Sequence, residues 1–197
     1  MQIQTEGNNT IVTISKRALK ALVGHAADAS RINLNVVRYD PQAGMLAATD
    51  GHRMLRATTR GVFSERGVAV SLCLDGLQAL LRAAKVKDSI VITVSTDGAT
   101  ATAAIGAASF VLSISENPFP PLDQVCPKDR SNNDNDATNA IGIDATLLAD
   151  VKLFAPKTVT STIILRLPTK PLAPIVVTAT DIDECIDWYC VIMPVRF

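Results

Sequence analysis

Aromatic residues are scarce in this chain: five Phe, two Tyr and one Trp among 197 residues. A core must therefore be filled by Ala, Val, Leu and Ile, and 48% hydrophobic residues supply enough of them. Net charge is lacking too. Nineteen Lys and Arg cancel nineteen Asp and Glu, so no overall field draws in nucleic acid. Any DNA contact has to come from local placement of basic residues. Cysteines are few, at Cys73, Cys126, Cys185 and Cys190, and none sits in a CxxC pair. With only His25 and His52 beside them, zinc-site spacing is missing and no metal is expected. Cys73 lies in the apolar run 68–74 and is expected in the core. Sparse, unpatterned cysteine fits a reducing cytoplasm. No apolar run is long enough to span a membrane, and the polar start has no apolar signal region, so neither membrane nor secretion is expected.

Chemistry-bearing motifs are equally thin. His52 has no Ser or Cys nucleophile pattern near it. Asp181, Asp183, Glu184 and Asp187 form an acidic cluster, but without the Gly and terminal Glu of a calcium loop. That cluster reads as a solvated connection between strands. No Gly-rich phosphate loop is present. The chain is expected to need no cofactor and to catalyse nothing.

What is present is a repeat of roughly sixty residues, each a strand, a helix and three strands. In the first unit, residues 10–14 alternate as a strand and Ser15 caps a helix over 16–29. Leu19, Leu22, Val23 and Ala26 make its apolar face. Strands follow at 34–39, 45–49 and 53–59, with turns at Asp40-Pro41-Gln42-Ala43-Gly44 and Asp50-Gly51. The second unit has a strand at 68–72, a helix capped by Asp75 and running to 84, and strands at 89–95, 99–105 and 109–115. Its first two long strands turn at Asp97-Gly98. A polar stretch, 128–138, reads as a linker. The third unit has a strand at 140–143, a helix capped by Asp144 and running to 154, and strands at 162–167, 175–179 and 188–194. Pro156 ends that helix. The boundaries are 1–127 for a domain of two units (about 1–62 and 66–127), 128–138 for the linker and 139–197 for the third unit.

Three segments carry a resemblance to a known family. They are Ala48-Thr49-Asp50-Gly51-His52-Arg53-Met54, Phe119-Pro120-Pro121-Leu122-Asp123-Gln124-Val125-Cys126-Pro127, and Val191-Ile192-Met193-Pro194-Val195-Arg196-Phe197. In type and order they resemble the walls of the peptide-binding groove of bacterial DNA sliding clamps, the beta subunit of DNA polymerase III. The resemblance implies an α+β DNA clamp fold, with three β-α-β-β-β half-domain units, antiparallel sheets and helices on one side. Two units are expected to pair with their strands merged in one sheet. The first two units resemble the clamp's second domain and the third resembles the latter half of its third domain. The first domain and half of the third have no counterpart. Phe197 departs from the pattern, where an aliphatic residue is usual.

By that resemblance, Thr49, Gly51, His52, Arg53 and Met54 line one wall of the groove. Pro120 and Val125 lie beneath, and Val191, Met193, Pro194, Val195 and Arg196 form the other side. Met and Val make an adaptable pocket for a Leu or Phe anchor. The groove would hold clamp-binding peptides of DNA polymerase and clamp loader. The same resemblance turns the helices toward duplex DNA, through Lys16, Arg17, Lys20, Arg82, Lys85, Lys87, Lys152 and Lys157. Such contacts would go to phosphates without base reading. An unpaired third unit would leave an apolar face and a sheet edge open, so self-association is expected. Three units per chain give the family's twelve in a homotetramer. The competing expectation is a non-ring clamp mimic that competes for clamp-binding peptides.

Overall fold

The computed structural model describes residues 1–60, 66–122, 143–156, 163–168 and 173–194. The 128–138 linker and the 140–143 strand expected from sequence lie outside or almost wholly outside these residues.

The first unit follows its pattern closely. Strand β1 (Gln2–Glu6) pairs antiparallel with β2 (Asn9–Ser15), turning at Gly7 with φ 58°. Sequence reading missed β1, because Ile3 alone among its residues is buried and no apolar alternation marks it. Ser15 caps α1 (Lys16–Val23), its hydroxyl accepting from Ala18 N at 3.1 Å. The helix stops at Gly24 instead of running to 29. Gly is a poor helix former, and Gly24 N closes the last turn on Lys20 O. Strands β3 (Val36–Asp40), β4 (Met45–Thr49) and β5 (Arg53–Thr59) form the meander.

The second unit repeats this order with β6 (Val70–Cys73), α2 (Leu74–Ala83), β7 (Ser89–Ser95), β8 (Ala101–Ile105) and β9 (Ala108–Leu112). Asp75 is not the cap. Helix α2 starts at Leu74, two residues earlier than a cap at Asp75 implies, and places Asp75 in the first turn, where its charge suits the helix N-terminus. Cys73 occupies the cap position and is half-buried instead of sitting in the core. A two-residue strand, β10 (Ile114–Ser115), follows.

In the third unit Asp144 caps α3 (Ala145–Ala149) by accepting from Thr146 N at 2.7 Å. The expected single helix to 154 tightens after one turn into a 3-10 segment, Asp150–Leu153. Strands β11 (Ile164–Arg166), β12 (Ile175–Asp181) and β13 (Ile186–Ile192) complete it.

The strands do not merge into one sheet. They form a five-stranded sheet ordered β1-β2-β7-β8-β9 and an eight-stranded sheet ordered β10-β6-β3-β4-β5-β13-β12-β11, antiparallel throughout. The reason lies in the connections. Helices α1 and α2 each carry the chain from one sheet to the other, so each unit lends its first strand to its partner's sheet. Thus β2 pairs with β7 and β6 with β3. The two helices touch, α1 lying on β2, β3, β4 and β5 and α2 on β6 and β9.

One apolar cluster fills the space between sheets and helices, led by Tyr39, Phe154 and Trp188. The third unit shares it. Phe154 lies 5.9 Å from His25 and 5.8 Å from Trp188 between ring centroids. Burying a side chain such as Phe154 contributes roughly 2 kcal/mol. Seven register pairs from Ile186↔Thr59 to Ile192↔Arg53 extend the first unit's sheet into the third.

A peptide-groove candidate and a cationic helix surface

The 49–54 loop is held from within. Asp50 Oδ1 accepts from His52 N and Arg53 N, both at 2.9 Å, and Oδ2 accepts from Arg53 Nε at 2.9 Å. Asp and Gly suit this turn for different reasons. The Asp carboxylate satisfies the loop amides, and Gly51 takes φ 89°. Thr49 Oγ1 donates to Arg53 O at 2.6 Å and accepts from Gly51 N at 3.1 Å. Its hydroxyl is thus engaged inside the loop. Arg31 Nη1 closes the other side, donating to Asp50 O at 2.7 Å. Arg53 also pairs with Asp150 and donates through Nη2 to Gly24 O at 3.0 Å. Its side chain therefore points to the helices and ties the loop to the end of α3.

The end of β13 comes alongside this loop. Met193 N donates to His52 O at 2.9 Å, and Val191 stands opposite Met54 in the register. Strand alternation puts these residues on the face away from the core. Leu46, Ala48, Leu55, Cys190 and Ile192 belong to the main core, while Ala47, Met54, Leu122 and Val191 form a second, smaller apolar cluster. Met45, Phe119 and Tyr189 pack on that cluster, and Arg56 lies over the Tyr189 ring at 4.9 Å.

The structure thus brings Thr49, Gly51, His52, Met54, Val191, Met193 and Pro194 to one end of the eight-stranded sheet, with Pro120 in the stretch between Phe119 and Leu122, which pack there. Met54 and Val191 are buried and make a floor. Met193 is 38% exposed, Gly51 and His52 are exposed, and Pro120 and Pro194 are half-buried. Val125, Val195 and Arg196 lie outside the described residues. Sequence reasoning did not assign the floor residues Ala47 and Leu122. Their signal was alternation with Met45 along β4, and an apolar residue three positions beyond Phe119.

The cationic residues divide into two sets. Arg17 is turned inward, donating to Asp181 and, through Nε, to Glu184 at 2.9 Å. The acidic cluster is correspondingly not a simple solvated connection, because Asp181 is buried in this pairing. Ser15 Oγ also donates to Glu184, at 2.7 Å. Lys16 Nζ donates to Ala84 O, joining α1 to the end of α2. By contrast Lys20, Arg82, Lys85, Lys87 and Lys152 are exposed, and none forms an ion pair with a described residue. Lys157 lies outside the described residues.

Other titratable groups belong to the core. Burial pushes the Cys190 thiol up to about 12, which leaves it unreactive. Burial also lowers His25 to about 4; its Nδ1 faces Ala21 O at 2.8 Å, and its Nε2 has no described partner. Among the described residues no cluster of three or more His, Cys, Asp or Glu is arranged to hold a metal ion. No helix among them is long and apolar enough to cross a membrane.

No protein-family model matches the chain, and no curated protein sequence does. Solved structures do. DNA polymerase III subunit beta from Pseudomonas aeruginosa superposes with a TM-score of 0.67 at 16% identity, covering 99% of this chain and 77% of that one. A putative DNA polymerase III beta subunit from Eubacterium rectale gives 0.70 at 13% identity, covering 100% and 68%. The sliding clamp from Bartonella birtlesii, bound to griselimycin, gives 0.68 at 16% identity, covering 98% and 68%. The fold is that of the DNA sliding clamps, and the chain spans about two thirds to three quarters of the length of these structures.

Proposed function

We propose that this chain is a clamp-type tether, which assembles as a ring around duplex DNA and holds polymerase or repair partners through a peptide groove. The observation that carries this reading is the meeting of three segments distant in sequence. The 49–54 loop, the Phe119–Leu122 stretch and the end of β13 converge on one apolar floor, with Met193 bonded to His52. An apolar floor beneath exposed His52 and Met193 suits an extended peptide with a Leu or Phe anchor. Exposed Lys and Arg near the helices, without ion-pair partners among the described residues, suit sequence-independent contact with phosphates. Tethering raises a partner's local concentration at the template, and the chain would act without catalysis. Loading would fall to a separate ATP-driven partner, and the site of action would be the cytoplasm.

The test is retention on DNA. A ring should stay on nicked circular DNA at raised salt and run off linear DNA of the same sequence. Equal loss from both would remove the ring. A second reading, a non-ring mimic that competes for clamp-binding peptides, draws support from the outer edges of β9 and β11, which no described strand covers. It expects peptide binding with no difference between circular and linear DNA.

A further inference from the structure

Each of the three units ends in a strand: β5, β9 and β13. Two of these already pair with each other, antiparallel, over seven register positions. The third, β9, ends the five-stranded sheet, and no described strand covers its outer edge. An open edge offers unpaired N–H and C=O groups to any strand that approaches, and proteins ordinarily guard such edges with charge, Pro or brevity.

The other edges that no described strand covers are guarded. Strand β1 is polar and ends in Glu6. Strand β10 has two residues and runs into Glu116 and Pro118. Strand β11 has three, including Arg166, with Pro168 after it. Strand β9 has no such guard: residues 98–115 contain neither a charged residue nor a proline. Val111 on β9 is 85% exposed, a large apolar surface on an uncharged edge.

We infer that β9 is a docking edge for β9 of a second copy of this chain, paired antiparallel about a two-fold axis. A strand paired with its own copy in this way is self-complementary. The β5–β13 pair is the precedent, since it joins the last strand of one unit to the last strand of another through the same kind of edge. Two-fold symmetry restricts the register to one centred on a residue. Centring on Phe110 sets Ala108 opposite Leu112 and Ser109 opposite Val111 of the second copy. Both Phe110 side chains then lie on the helix-bearing side, and the two five-stranded sheets become one of ten strands. The inference rests on the ring reading for the joining of copies and deepens it by naming the edge, and the β9 pair itself needs neither DNA nor peptide.

Light scattering over a dilution series tests it, with the full chain and three proteins. Wild type should form an assembly with an even number of chains. Ser109→Lys with Val111→Lys places like charges directly opposite one another across the axis and should halve the mass. Both residues are exposed, so the fold should survive, as far-UV circular dichroism would record. Ser109→Glu with Val111→Glu should halve it too, and mixing the two variants should restore it. A single-chain mass for wild type throughout the series overturns the inference, as does a Lys variant with wild-type mass or a mixture that fails to reassociate. Peptide binding and DNA retention read the clamp function separately, so its failure would not be mistaken for this one.

Discussion

Arg17, in the first turn of α1, reaches into the third unit and pairs with Asp181 at the end of β12. Its Nε also bonds Glu184 at 2.9 Å and its Nη1 bonds Ala155 O at 3.0 Å. Every one of these partners belongs to the third unit, so Arg17 is a clasp between units. Asp181 has only 3% of its side chain exposed. Arg17→Ala would leave that carboxylate without its counter-charge, which costs about 3 kcal/mol. Urea unfolding should show the loss, whereas Lys20→Ala, on an exposed side chain, should change stability little.

That clasp marks the boundary of what could be read from sequence. Alternation in β2 and β7, the Ser15 and Asp144 caps, and the turns at Gly44 and Gly98 are local signals, and the chain obeys them. The three segments assigned by resemblance to the proposed groove are far apart in sequence, and two of them meet where Met193 bonds His52. Pairing between sheets was not legible. Nothing local in β2 says that it joins β7, and alternation cannot distinguish one sheet from two. Arg17 and Lys16 looked like Lys20 in sequence, since three basic residues on one short helix carry no mark of which one is paired. The 181–185 turn packed against α1 engages Arg17, and the end of α2 engages Lys16 through Ala84 O.

His25 predicts a pH dependence. Buried between Ala21 and Phe154, with Arg53, Asp150 and Asp50 acting on it, it stays neutral in the folded chain down to about pH 4. Unfolded, it takes a proton near 6.5. Between those values the unfolded chain binds more protons, so the contribution to stability is complete above 6.5 and is lost as pH falls toward 4. The span corresponds to about 3 kcal/mol. Thermal or urea unfolding from pH 7 to pH 4 should fall more steeply for the wild type than for His25→Gln. Equal slopes would show that other groups govern the acid limb.

Gly51 predicts a local effect. It holds φ 89°, and a Cβ there would meet Arg31 Nη1 at 2.7 Å. Gly51→Ala should cost about 1–2 kcal/mol through the left-handed backbone alone, and the Arg31–Asp50 bond should loosen with it. Hydrogen exchange should then quicken at the amides of His52 and Arg53 while the five-stranded sheet stays protected.

The proposed groove is tested by removing side chains that the fold does not need. His52 is exposed and Met193 is 38% exposed, so His52→Ala with Met193→Ala should leave the unfolding midpoint nearly unchanged. Binding of a fluorescent peptide bearing a Leu-Phe anchor should weaken by roughly 2 kcal/mol if these residues act as contact anchors. Met54→Ala is the contrasting variant: its side chain is buried in the floor, so it should lower stability and affinity together. Unchanged peptide affinity in the double variant would move the binding site elsewhere.

The helix surface calls for a charge swap narrower than sequence alone suggests. Lys16 and Arg17 are bonded within the fold, so replacing them would confuse binding with stability. Lys20, Arg82, Lys85 and Lys87 are exposed, with no ion-pair partner among the described residues. Changing these four to Glu should leave folding intact and reduce association with duplex DNA at low salt. The slope of log affinity against log salt should become shallower by about 0.9 for each phosphate contact removed. A contact that only neutralises phosphates predicts the same loss for every DNA sequence, whereas base reading predicts unequal losses. Unequal losses would therefore argue against a sliding contact, and an unchanged salt slope would take this surface away from DNA altogether.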